Sequence, residues 1–221
     1  MGLDMYLNKT KKVEGFSAID YVYADMVLDY NREKAKAKEV GEKFTDTLKS
    51  WGVPENMTLE KAKTLESEYN SAGKFFECFS IFKELGYWRK ANHIHAWFVS
   101  KVQDGTDDCS YYFVTEDQFL ELKETCEKVL ALKPFSIEEN SELFYVGAST
   151  LIDNGVITKK DYEELEAKLE ELMPTQAGFF FGVTDYNPFY FQTVEETLEI
   201  ANKILENGDF DKEVYLYHSS W

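Results

Sequence analysis

Apolar and polar residues alternate over positions 3–9. Leu3, Met5 and Leu7 share one face, and Asp4, Tyr6 and Asn8 share the other, which predicts a first strand. The period then lengthens. Residues 18–50 carry a helical pattern opened by the capping signal Ser17/Asp20, rich in Lys, Glu and Ala over 32–43, and closed by Gly52-Val53-Pro54. Thr58 caps a second helical segment, 59–72, so the two segments predict a helical hairpin with a solvated outer face. Residues 74–85 fit either helix or strand, with helix favoured for the second half. From 88 to 102, Trp88, Ala91, His95, Phe98 and Val102 fall on one stripe and predict a helix.

Downstream, 109–114 is a short β-rich run. Thr115 and Gln118 form a capping box that opens a helix to about Leu132, where Pro134 breaks it. Ser136 and Glu139 open another to about Ile152, and Thr158 starts one that runs to Leu172. Residues 177–183 read as a strand with glycine near both ends, Thr193 caps a helix to Glu206, and 213–218 alternates as a last strand. Four short strands among many helices, with no βαβ unit and no internal repeat, predict an α+β fold. The expected arrangement is a small antiparallel or mixed sheet covered by helices. All 221 residues then form one domain, with 16–73 as a helical elaboration.

Composition narrows the function classes. The net charge of −17 repels phosphate polymers and anionic membranes, yet a local group of cations can still hold a small anion. Three cysteines, at 78, 109 and 126, form no CxxC pair, which suits reduced thiols in a cytoplasmic setting. No apolar run is long enough to span a bilayer, and the N-terminus lacks a basic region followed by an apolar one. Aromatic residues make up 16% of the chain, enough for a filled core or a stacking site.

The stretch 87–95 concentrates the candidate chemistry. On the helical reading Arg89 and Lys90 stand in a first turn, where free backbone N–H groups and two cations would form an anion site. Trp88 would stack on a ligand and Asn92 would offer a donor and an acceptor. The competing reading pairs Arg89 and Lys90 with nearby carboxylates. His93 and His95 diverge on a helix, which disfavours a metal, and His95 is either a core histidine or a ligand-facing one. Asp107 and Asp108 suit a turn better than a metal loop. Seven aromatics fall within 179–191, and Thr175, Gln176, Phe180 and Tyr186 extend the expected ligand-binding set. No P-loop, GxGxxG, HExxH or GxSxG motif occurs, so no catalytic residue, cofactor or metal ligand is assigned.

The blocks Gly2–Leu7, Gly86–Asn92, Ile94-His95, Trp97-Phe98, Asp107–Cys109, Pro174–Gln176, Gly178–Gly182 and Ser219–Trp221 together resemble a family of small phage and bacterial proteins. The resemblance implies a phage or bacterial cytosolic setting, the host cytoplasm for a phage protein, and one domain; it supplies no mechanism. The expected function is non-catalytic binding of a small anionic, nucleotide-like ligand, such as a host immune signal sequestered by a phage protein. The partner is that ligand and neither a nucleic-acid polymer nor a membrane, with a homo-oligomer left open. An enzyme (hydrolase or transferase) acting on a phosphorylated or nucleotide substrate, with His95 as acid or base, and an acidic protein–protein inhibitor are the alternatives.

Overall fold

A computed structural model describes residues 2–45, 47–48, 50–65 and 81–221. Strand β1, Asp4–Lys11, realises the opening alternation and lies inside a four-stranded sheet. Its neighbours are β2, Lys83–Arg89, on one side and β4, Glu213–Ser220, on the other; β3, Tyr112–Val114, completes the order β2-β1-β4-β3. Every pairing is antiparallel, and β1 with β4 runs in unbroken register from Asp4↔Ser220 to Lys11↔Glu213.

Alternation divides the sheet into two apolar faces. Leu3, Met5 and Leu7 join Trp88, Tyr215 and Tyr217 in the larger core, beneath helices α3 (Asn92–Lys101), α4 (Glu116–Leu130), α6 (Lys159–Leu172) and α7 (Pro188–Asn207). The short α5, Ala148–Asp153, adds Leu151. On the other face Leu216 meets Tyr21, Ala24, Val27 and Leu28 of α1 (Ala18–Val40) and Ala62 of α2 (Leu59–Lys63). Helices therefore cover both faces, giving three layers. Full burial of each such Leu, Met or Val contributes about 1.5–3 kcal/mol.

Local capping chemistry sets several boundaries as expected. Ser17/Asp20 and Thr115/Gln118 close reciprocal capping boxes, and Thr58 and Thr158 accept from the third residue on. The α+β class agrees with the sequence, as do the strands β1, β3 and β4; among the described residues the fourth strand is β2 and not the expected 177–183. Among the described residues, no helix is long and apolar enough to cross a membrane.

Several boundaries differ. α1 stops at Gly41, whose φ of 74° forms a left-handed cap, well before residue 50. Helix α2 ends at Lys63; the rest of the expected 59–72 segment from residue 66, and residues 74–80, lie outside the described residues. Residues 83–85 belong to a strand, not a helix. The expected helix from Ser136 gives way to turns, and only Ala148–Asp153 is helical there. Residues 177–183 form a loop, because its backbone groups bond to other segments: Leu3 N–H donates to Phe180 O, and the Asn92 side chain takes two more carbonyls. Helix α7 begins at Pro188 under an Asn187 cap, which places Thr193 in its interior.

Candidate functional site

The stripe that begins at Trp88 is two elements, not one. β2 ends at Arg89, Lys90 turns the chain with a φ of 59°, and α3 starts at Asn92. Strand alternation therefore governs 87–89: Trp88 faces the core, while Tyr87 and Arg89 face away. Trp88 is 2% exposed and its indole N–H donates to Thr197 Oγ1 on α7 at 2.9 Å. Tyr87, outside the expected set, is 44% exposed.

The Lys90 turn is fastened from two sides. Its N–H donates to Leu3 O at 2.8 Å. A Cβ on Gly182, at φ +90°, would lie 3.1 Å from Lys90 Cβ and 3.3 Å from Lys90 O, so glycine permits the close approach and the positive φ together. Asn92 fixes the same loop from below. Its amide donates to Phe181 O at 3.0 Å and Val183 O at 2.8 Å, and its oxygen accepts from Gln176 N–H at 3.0 Å. With both ends of its amide bound and 1% exposure, Asn92 organises the loop and does not present itself to a ligand. The blocks 2–7, 86–92 and 174–182 thus meet at one end of the sheet.

Rings line the α1/α2 face of the sheet at that end. Tyr6 and Tyr87 are cross-strand partners with centroids 5.3 Å apart, Tyr6 stacks on His218 at 4.8 Å, and His218 stacks on Tyr111 at 4.1 Å. Burial lowers the His218 pKa to about 4, so at neutral pH this imidazole is an uncharged member of the ladder. Burial also raises the Tyr111 phenol to about 12. At the open end, Asp4 Oδ1 accepts from the Tyr87 hydroxyl and lies 3.8 Å from Arg89 Nη1. Burial, then the hydrogen bond and charge of Asp4, hold Tyr87 protonated. Arg89 keeps 59% of its side chain exposed, so its fork of donors faces solvent beside the Tyr87 ring.

His95 lies on the opposite face and is fully buried. Its Nε2 is 3.0 Å from Asp107 Oδ2 and its Nδ1 is 2.8 Å from the Tyr217 hydroxyl. A carboxylate only accepts, so Nε2 carries the proton, and Nδ1 accepts from Tyr217. Burial lowers the His95 pKa against the opposing pull of Asp107, and burial lifts Tyr217 far above the phenol range. The indole of Trp221 donates to Asp107 Oδ1 at 3.0 Å. Every partner in the Tyr217–His95–Asp107–Trp221 series is engaged, which makes it a rigid strut. His93 points the other way: its Nε2 is 2.9 Å from Thr193 Oγ1 and burial takes its pKa down to about 3.

Of the residues selected from sequence, Arg89 and Lys90 are exposed at the site. Thr175 bonds Thr184 O, Phe180 packs partly buried on the core, and Tyr186 is fully buried; Gln176 joins through its backbone. These residues build the loop beneath the surface. Asp108 accepts from Ser110 N–H and the Tyr112 hydroxyl, as a turn residue does. Among the described residues, no cluster of three or more His, Cys, Asp or Glu is placed to hold a metal ion. The expected ligand-binding set omits Tyr6, Tyr111 and His218, and omits Tyr87 although the candidate stretch 87–95 contains it. The alternation of 3–9 and 213–218 puts Tyr6 and His218 on the polar faces of their strands, but only the register makes them neighbours. No known family model, curated protein or solved structure matches the chain, so the functional reading rests on this geometry.

Proposed function

We propose that the protein is a non-catalytic binder of a small anionic, nucleotide-like ligand at the Tyr87–Arg89–Lys90 end of the sheet. The observation that carries this reading is the half-exposed Tyr87 ring, which ends a continuous ring ladder beside two exposed cations. A base would stack on Tyr87, and Arg89 would pair with phosphate through its planar fork. Asp4 and the Lys90 turn hold both groups in place before any ligand arrives, which lowers the ordering cost of binding. The engaged state of both His95 nitrogens supports binding over acid–base catalysis. In the phage or bacterial setting that the sequence blocks suggest, such a protein would sequester a signalling nucleotide.

The test is a thermal-shift panel of linear and cyclic nucleotides, followed by mass analysis of the ligand after denaturation. At least one nucleotide should raise the melting temperature and return unchanged. Arg89→Glu and Tyr87→Ala should each abolish the shift while the unliganded protein stays folded by circular dichroism. No shift across the panel, or a shift kept by both variants, sinks the proposal; conversion of the ligand transfers the site to the enzyme reading.

A further inference from the structure

The far end of the sheet holds a cleft of about 850 Å³ that the proposed function does not use. It opens where β1 leaves the sheet after Lys11, β3 runs into α4 and β4 begins. Strand β1 separates it from Asp4 by roughly 20 Å, given ~3.3 Å per strand residue.

Its walls are aromatic: Phe16, Tyr21, Phe113, Phe210 and Tyr215. Phe113 is 37% exposed, so ring surface is available within the cleft. The Tyr21 hydroxyl accepts from Val13 N–H at 2.9 Å, and Phe210 lies 4.7 Å from Tyr215, so the walls are held in place.

The charges point to the ligand class. Glu14, Glu116 and Asp211 stand exposed at the rim, and Glu213 lies deeper, bonded to Lys9 and the Tyr215 hydroxyl. Among the described residues Lys12 is the one cation lining the cleft, and its ammonium already donates to Phe210 O at 3.1 Å. Two helix N-termini, of α1 and α4, border the cleft, and their positive ends would favour an anion. Each is closed by its own capping box, and full carboxylate charges outweigh those partial ones. The ring chemistry is also in use locally, since Lys61 Nζ sits 4.7 Å over the centroid of Phe16.

We infer that this cleft binds a small organic ammonium ion, an alkylamine, polyamine or quaternary ammonium. Aromatic faces attract such a cation through the ring quadrupole, and the carboxylate rim supplies the countercharge. The field of a protein at −17 draws cations toward the cleft, whereas it repels the anion proposed for the other end.

Calorimetric titration of the full chain with choline and with spermidine tests this, with 3,3-dimethyl-1-butanol as the neutral isostere of choline and sodium chloride as an ionic-strength control. At least one of the two cations should bind saturably at one site, and the isostere and sodium should not. Phe113→Leu should weaken binding roughly tenfold, the fold-change equivalent to one desolvated cation–ring contact. The exposed triple change Glu14→Gln, Glu116→Gln, Asp211→Asn should do so without loss of the circular-dichroism melt. Arg89→Glu should leave it intact. The inference is overturned if neither cation binds, if the isostere binds equally, or if affinity survives both the ring and the rim variants.

Discussion

At its Asp4–Ser220 end the β1–β4 pair is tied down; at its Lys11–Glu213 end it opens into a cleft. The first end gathers Leu3, Lys90, Gly182 and the Asn92 amide into a net of backbone contacts, and places Tyr87, Arg89 and Lys90 on top. The second is bordered by rings and carboxylates around open volume. The two lie roughly 20 Å apart, about two Debye lengths at 0.1 M salt. Each end therefore responds mainly to its own charges, and a net charge of −17 does not by itself decide what either one binds.

The difference can be broken most strongly with acid. All three histidines serve the tied half of the molecule, and none lines the cleft. Burial depresses His93 from 6.5 to about 3 and His218 from 6.5 to about 4 in the folded state. The unfolded chain therefore takes up protons first as pH falls. This stabilising contribution is full above about pH 6.5 and is lost progressively toward pH 4 and below. Denaturant unfolding should show a loss of several kcal/mol between pH 7 and pH 4. In His93→Gln the stability at pH 7 should drop, but the slope with pH should flatten; an unchanged slope would show that His93 is not responsible.

A smaller effect should follow from cutting the net itself. Asn92→Ala strands two carbonyls and one N–H beneath the loop and should cost about 3 kcal/mol, read from the urea midpoint. The same variant should weaken nucleotide binding and leave ammonium binding unaltered. Smallest of the three, Gly182→Ala forces a Cβ at positive φ against Lys90 and should cost about 1–2 kcal/mol. Because the strain falls on the Lys90 turn, nucleotide affinity should fall by more than stability does. If Gly182→Ala is neutral in both assays, the Lys90 turn is not held as described.

The adjacent residues Tyr87 and Trp88 show what was legible in the sequence. The helical stripe from Trp88 to Val102 correctly finds α3, but it starts one turn early because Trp88 happens to continue the stripe. Its partner is Thr197, 109 positions away, so no local window distinguishes a strand end from a helix start there. The helical reading offers Trp88 as the ring free to stack, whereas in the strand Trp88 is buried and Tyr87 is the exposed ring. The capping boxes at Ser17 and Thr115 and the N-cap at Thr158 are readable because both partners lie within four residues. The similar signal at Ser136 failed to open a helix, and the aromatic run at 177–183 became a loop held by Asn92. Both outcomes depend on tertiary partners. The charged members of the site, Arg89 and Lys90, were visible as two cations in sequence; the ring ladder was not, since it exists only in the strand register.

The Trp221 indole, bonded to Asp107 and edge-on to Phe181 at 6.0 Å, also gives the tied end an optical handle. Of the four tryptophans, Trp88 and Trp97 are buried, and only Trp51 and Trp221 are about half exposed. A Trp51→Phe chain would leave Trp221 as the one solvent-facing indole. Its emission wavelength and its quenching by iodide would then report whether Trp221 stays docked on Asp107, with no label attached to the protein.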